Sequence, residues 1–377
     1  MSAFFLRQSR CFPLLLSSLL LSSWAQADDR DYRIEWDTMA TAYSPAQPIH
    51  AFINDWQQPL TAGNHAYAQG RTALTVIPEH SRIRYGVSWR YDYLMDFSDD
   101  AALLYWQYKN NALPTTATEY QLQLNATHNE RFGIHAGTAY QVSPSWQISA
   151  RGNLWRGLHV LEGEAKGQVS SQTLLNTDNI TSLQRLDSAD INIDYYYDEP
   201  ALKEENLNWY PDKPTGYGYS LDVALQGQLG ENTKLTIDAY DMLGKMHWQD
   251  APQTAYMIDY DSNRRPIDKT GGQLSTSDVT QSLPWRVEGS LTHQLSDKWQ
   301  VSAHGQVNDV QSLYQLEASY QPDLLSSLTV STMAEPQTQA FGIGLAGAYG
   351  GFKVLTDDID FNRAQRSEVQ LYGRYAW

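Results

Sequence analysis

The chain has 377 residues, 27 Lys+Arg against 43 Asp+Glu, and a formal net charge of −16, so a nucleic-acid partner is excluded because a polyphosphate would be repelled. Its 24 Tyr, 12 Trp and 9 Phe are too many for a solvated, disordered chain. Charged residues make up 19%, below the roughly 25% of ordinary soluble domains, so Gln, Ser, Thr, Asn and Gly carry much of the polarity.

Residues 1–27 read as a cleaved signal peptide. Arg7 and Arg10 form its positive end, residues 11–21 its short apolar core, and Ala25-Gln26-Ala27 its cleavage site. The single cysteine, Cys11, leaves with it. The expected mature chain, 28–377, therefore has no disulfide, thiolate metal site or cysteine nucleophile. No later run is apolar over the ~18 residues a transmembrane helix needs. Periplasm, secretion or an outer-membrane barrel remain.

Residues 48–56 are the first segment out of step with strands. Ile49, Phe52, Ile53 and Trp56 stand at helical spacing behind Pro48. Two readings stay open: a plug folded into a lumen, or a helical turn packed on a barrel rim.

The dominant pattern is period two. Residues 83–93 set Ile83, Tyr85, Val87, Trp89, Tyr91 and Tyr93 against Arg84, Gly86, Ser88, Arg90 and Asp92. Residues 146–153 set Trp146, Ile148 and Ala150 against Gln147, Ser149 and Arg151. The same alternation recurs over 189–197, 217–229, 285–295 and 299–308. Successive strand side chains point to opposite faces, so each segment has one apolar and one polar face. Residues 140–150 and 292–303 repeat one hairpin, strand, tight polar turn and strand. Longer hydrophilic connections are expected at 44–65, 198–216, 249–284 and 356–366. Short connections on one side and long loops on the other are the asymmetry of outer-membrane barrels.

The chain ends Glu368-Val369-Gln370-Leu371-Tyr372-Gly373-Arg374-Tyr375-Ala376-Trp377. Leu371, Gly373, Tyr375 and Trp377 alternate up to a terminal aromatic. This resembles the closing strand of Gram-negative outer-membrane β-barrel proteins of the porin-like kind. The resemblance implies an all-β fold, a closed antiparallel transmembrane β-barrel in the outer membrane. It also implies recognition of those four residues by the barrel-assembly machinery. Lipid and lipopolysaccharide would be the barrel's surroundings. With Trp377 on the periplasmic side, connections near 77–82, 110–118, 142–146, 229–233, 295–299, 320–327 and 347–351 also fall there. The count is 16–18 strands.

The leading functional expectation is a pore for small hydrophilic solutes. Its permeation candidates are the inward charges Arg84, Arg90, Asp92, Arg151, Asp222, Arg286 and Glu288, which would set ionic selectivity in a wet lumen or pair as struts in a filled one. Inward aromatics, among them Tyr105, Tyr196, Tyr240, Tyr372 and Trp155, could stack on sugars or fill volume. The alternative is a non-conducting structural or envelope-assembly barrel. A barrel hydrolase comes third, because G-x-S-x-G, H-E-x-x-H and nucleotide-binding glycine loops are missing and His135 and His304 sit on polar faces as ordinary hydrogen-bonded histidines. No cofactor is expected. Acidic loop clusters such as Asp357, Asp358 and Asp360 could hold divalent cations or be merely solvated.

Overall fold

Strand alternation on this scale needs a partner for every strand edge, and the computed structural model supplies it by closing the sheet. It describes residues 32–52, 56–176, 181–198, 208–261, 269–323 and 327–376, so the signal segment 1–27 and Trp377 lie outside the described residues. The first elements are β1 (Tyr32–Tyr43), β2 (His65–Pro78), β3 (Ile83–Phe97), helix α1 (Asp99–Lys109), β4 (Thr118–Ser143) and β5 (Trp146–Asn176). β6 (Thr181–Tyr197), β7 (Thr215–Gln228), β8 (Thr233–Asp261), β9 (Lys269–Ser282) and β10 (Arg286–Gln294) follow. The chain closes with β11 (Trp299–Asn308), β12 (Ser312–Tyr320), β13 (Thr329–Glu335), β14 (Ala340–Ala346), β15 (Gly350–Thr356) and β16 (Arg366–Ala376).

All pairings are antiparallel, and β16 returns to β1 through Arg33↔Ala376 to Tyr43↔Arg366. Fourteen strands form the closed ring: β1 to β5, β7, β8, and β10 to β16. β6 and β9 stand above it. Residues 146–156 of β5 pair with β7, whereas 161–176 pair with β6. Residues 233–240 of β8 pair with β10, and 245–259 with β9. One wall, from β4 to β9, therefore rises far past the rim, while β13 to β15 have only seven residues each.

The outer face is apolar and open. Ile83, Tyr85 and Val87 of β3, Phe132 and Ile134 of β4, Leu154 of β5, Leu316 of β12 and Ile343 of β14 are all exposed. Directly opposed residues share a face, and the register Val87↔Ile134 and Ile134↔Leu154 carries this band around the wall. Polar residues occupy the interior: Ser88, Arg90, Asn129, Arg131, Glu317 and Glu368 are buried. An apolar exterior around a polar interior, with every mid-wall edge paired, suits hydrocarbon and no other solvent. The protein is thus an outer-membrane β-barrel. Aromatic rings mark the edge of the band near the short turns: Tyr140 is exposed, and Trp299 packs on Tyr320 with centroids 4.7 Å apart.

The structure corrects the expected count of 16–18 strands to a ring of fourteen. Residues 99–109 form α1, not a strand. Ser98 caps it by accepting from the Ala101 amide at 3.2 Å, Asp99 and Asp100 stand in its first turn, and Lys109 in its last. Residues 110–117 therefore sit on the long-loop side instead of forming a periplasmic turn, and β4 runs unbroken where two strands were expected. Of residues 249–284, expected as a loop, 249–261 instead continue β8 and 269–282 form β9, while 262–268 lie outside the described residues.

The 44–65 connection folds onto the rim. Among its described residues only Ile49–Phe52 forms a short 3-10 turn, and Ile53 lies outside them. Trp56 is buried against Phe52, Phe97 and Tyr105, at centroid separations of 5.2, 6.2 and 5.1 Å. Met95, paired with Ala66 and Ala126, belongs to the same cluster and lies on the outward face. The segment and α1 thus cover the outside of the wall above the membrane, which is the rim alternative and not the plug. Tyr105, expected inside the lumen, sits in this outer cover.

The occluded lumen as candidate functional site

The interior charges are not dispersed in water. They meet at mid-height. From β3, the Arg90 guanidinium reaches both carboxylate oxygens of Asp222 on β7, at 3.0 and 2.6 Å, and also contacts Asp241 on β8. Arg131 on β4 donates to Asp92 at 2.7 Å, Asn129 at 2.9 Å and Asp241 at 2.6 Å. Arg151 on β5 donates to Asp222 at 2.8 Å. Three arginines and three aspartates thus alternate in a neutral layer. The side chains of Arg90, Arg131, Asp92, Asp222 and Asp241 are at most 8% exposed. The guanidinium groups also stack on rings: Arg90 lies 5.2 Å and Arg131 5.3 Å from Trp155.

A second set bonds one wall directly to the opposite one. Arg71 of β2 forms a two-bond fork with Glu288 of β10, at 2.7 and 3.2 Å, and lies 4.1 Å above the Tyr240 ring. Gln306 of β11 donates to the Tyr67 hydroxyl of β2 at 2.9 Å, and Asn308 to Gln69 at 3.0 Å. Arg286 completes the set by donating to Gln306 at 2.6 Å. β2 and β10 lie nearly half-way round the ring from one another. Since barrel diameter grows with strand number and about eight strands already fill their own interior, a round ring of fourteen would hold these groups apart. Direct bonding means that the barrel is flattened and its walls are zipped together.

Local backbone shape aims one member of the layer. By alternation from Asp238 and Tyr240, Asp241 should point to lipid. It instead adopts φ 57°, and Leu243 two residues on adopts φ 55°. The β7–β8 register shifts between Tyr219/Leu221 and Leu221/Val223, and the Asp241 amide donates to Asp222 at 3.0 Å in place of a strand partner. This double bulge turns the Asp241 carboxylate inward.

Above the layer the lumen is filled by apolar side chains around a buried amide pair. Trp248 lies flat over Gly157 and Gly216, where an added Cβ would come within 2.3 and 2.4 Å of its ring, and packs with Trp155, Met246 and Leu283. Gln281 bridges over it to Asn129 at 2.7 Å and to the carbonyls of His128 and Leu161 at 3.2 Å. At the layer itself the free space is a void of about 20 Å³, room for roughly one water. Toward the periplasm it widens to a cavity of about 160 Å³ lined by Glu35, Asp37, Thr75, Ser88, Arg151 and Tyr240.

Six of the seven expected permeation residues, Arg90, Asp92, Arg151, Asp222, Arg286 and Glu288, lie in these two sets. Arg84 does not: it faces inward near the periplasmic end, opposite Gly137. Sequence reading missed Arg71, Gln69, Gln306 and Arg131, which the period-two rule could have found, and Asp241, which it could not. His135 is held by the Ser88 and Thr75 hydroxyls at 2.8 and 3.1 Å, and His304 by Glu317 at 2.9 Å. At the rim, His159 sits between Asp198 at 3.1 Å and Glu130 at 3.9 Å. Asp357 accepts the Gln365 and Arg366 amides, and Asp358 and Asp360 pair with Arg363. Leu371, Gly373 and Tyr375 lie on the lipid-facing side of β16, opposite Thr38, Trp36 and Ile34.

Among solved structures, the chain is similar to the CymD monoaromatic hydrocarbon channel, at 11% identity over 92% of this chain and 87% of that one, with a TM-score of 0.38. It is similar to the Pseudomonas putida toluene transporter TodX at 10% identity over 93% and 89% (TM-score 0.37). A Pseudomonas aeruginosa FadL homologue is similar at 9% over 92% and 90% (TM-score 0.31). No curated protein matches. A family model described as family of unknown function DUF5723 matches residues 76–357, from the end of β2 through β15, and the chain belongs to that family.

Proposed function

We propose that the protein is an outer-membrane channel barrel held shut at its waist by cross-wall ion pairs, and not a standing pore for small hydrophilic solutes. The observation that carries this is the Arg71–Glu288 fork joining β2 to β10. With the Arg90–Arg131 layer beside it, the free space at the waist narrows to a void of about 20 Å³. The chemistry of the closure supports a latch over a permanent filling. A buried ion pair is often no more stabilising than apolar residues of equal volume. Charges that part can instead be rehydrated, so opening an ionic seam strands no unpaired charge once water enters.

Planar-bilayer recording tests this. The wild-type protein gives no steady open-channel current. The double variant Arg71→Gln/Glu288→Gln, which keeps shape but removes the charge pair, gives frequent openings. Steady conductance of the wild type overturns the closed-waist reading. A folded, silent double variant instead favours the structural barrel, for which the neutral contacts Tyr67–Gln306 and Gln69–Asn308 already speak.

A further inference from the structure

The barrel exterior carries one basic patch where an apolar surface is expected. Strand register puts Arg156 of β5, Tyr217 of β7 and His247 of β8 in one outward row. Leu154, Tyr219 and Lys245 form the next row toward the periplasm. Neighbouring strands are about 4.7–4.9 Å apart, so Arg156 and His247 are separated by roughly 10 Å. Arg156 stands ten residues above Trp146, the start of β5, which is the length of one tilted membrane crossing. The patch therefore lies at the outer edge of the hydrocarbon band.

The side chains are turned to the surroundings. Arg156 is exposed, Tyr217 is 52% and Tyr219 50% exposed, and no ion pair engages Arg156 among the described residues. Lys245 donates one proton to Ser282 at 2.7 Å and keeps two. Thr280 engages His247 Nδ1 at 2.9 Å, leaving Nε2. The His247 ring packs 5.6 Å from Tyr217 and 6.4 Å from Tyr219. Of the acids around the patch, Glu130, one row up, already accepts from the Trp89 indole at 2.9 Å, and Glu162 lies within electrostatic reach of Lys245.

Positive charge on a lipid-facing surface at headgroup depth is complementary to phosphate, and tyrosine rings at that depth bridge acyl chain and headgroup. We propose that Arg156, Lys245 and His247 form a binding site for the phosphate of a phosphorylated outer-leaflet lipid, whose acyl chains lie along Leu154 and Tyr219. The fork of Arg156 takes two phosphate oxygens and Lys245 a third. The site does not depend on whether the lumen conducts.

Native mass spectrometry of the full-length protein in detergent tests the proposal with bisphosphorylated lipid A, its dephosphorylated form and inorganic phosphate as probes. The wild type is expected to retain the phosphorylated lipid at least tenfold better than the dephosphorylated one. Arg156→Gln/Lys245→Gln should abolish that preference without shifting the thermal unfolding midpoint, and Lys245→Arg should keep it. Equal retention of both lipids, or an unchanged preference in the double variant, overturns the site. Displacement of the lipid by millimolar inorganic phosphate overturns the lipid assignment in favour of a free anion. If the double variant misfolds, the single variant Arg156→Gln carries the test, with a partial loss of preference expected and none overturning it.

Discussion

Arg131 shows how much rests on single side chains here. Its guanidinium is buried and serves Asp92, Asn129 and Asp241 together. Removing one partner of a buried pair strands the others in low dielectric, at a cost of about 3–5 kcal/mol. Arg131→Ala should lower unfolding stability in detergent by that amount, as measured by urea titration. Arg131→Lys should recover little, because an ammonium cannot reproduce a planar fork to two carboxylates. A loss below about 1 kcal/mol would show that the carboxylates find water instead. The period-two rule places Arg131 on the inner face, but it does not say that Asp241 is waiting there.

At the level of elements, β8 departs most from regularity. Leu243 holds φ 55° with its side chain 79% exposed on the lipid-facing wall, so it bears the steric cost of a left-handed residue while its side chain rests against hydrocarbon. That cost is about 1–2 kcal/mol for an L-residue and absent for glycine. Leu243→Gly relieves that strain but gives up a lipid-facing side chain of similar worth, so stability should change by less than about 1 kcal/mol, whereas Asp241→Ala should lower it, both read from unfolding midpoints. α1 offers a second check. Ser98→Ala removes its cap and should cost about 1 kcal/mol locally. Hydrogen exchange should then quicken in residues 99–109 and in the 56–60 segment they pin through Trp106 to Gln58 at 2.7 Å, with the barrel strands unaffected. Ser98 and the first-turn acids carry a helix-start signal that was not read from the sequence. The alternation of Ala101, Leu103 and Tyr105 also fits a strand, and the cap decides only once the outer rim cover is seen.

For the whole molecule, the lopsided wall and the flattened ring are the main features. Buried ion pairs are weakly screened by salt, so the closed state should persist across ionic strength. Conductance of the wild type should stay absent from 0.1 to 1 M KCl, while the Arg71→Gln/Glu288→Gln variant should conduct in proportion to salt. Current appearing in the wild type only at high salt would mean that the seam is solvated and not buried.

Alternation, the terminal aromatic strand and the turn asymmetry were enough by themselves to determine a closed membrane barrel, because strand periodicity is local and lipid rewards one face only. They also determined which side chains point inward, including Arg90, Asp92, Arg151, Asp222, Arg286 and Glu288. What only the tertiary structure decided is how far apart those side chains stand. Strand number, the β5–β6 and β8–β9 extensions, the bulge at Asp241 and the flattening that brings Arg71 to Glu288 depend on non-local contacts, from 19 positions apart for Asp241 and Asp222 to 217 for Arg71 and Glu288. No local pattern encodes such distances, and on them hangs whether the same inward charges face water or one another.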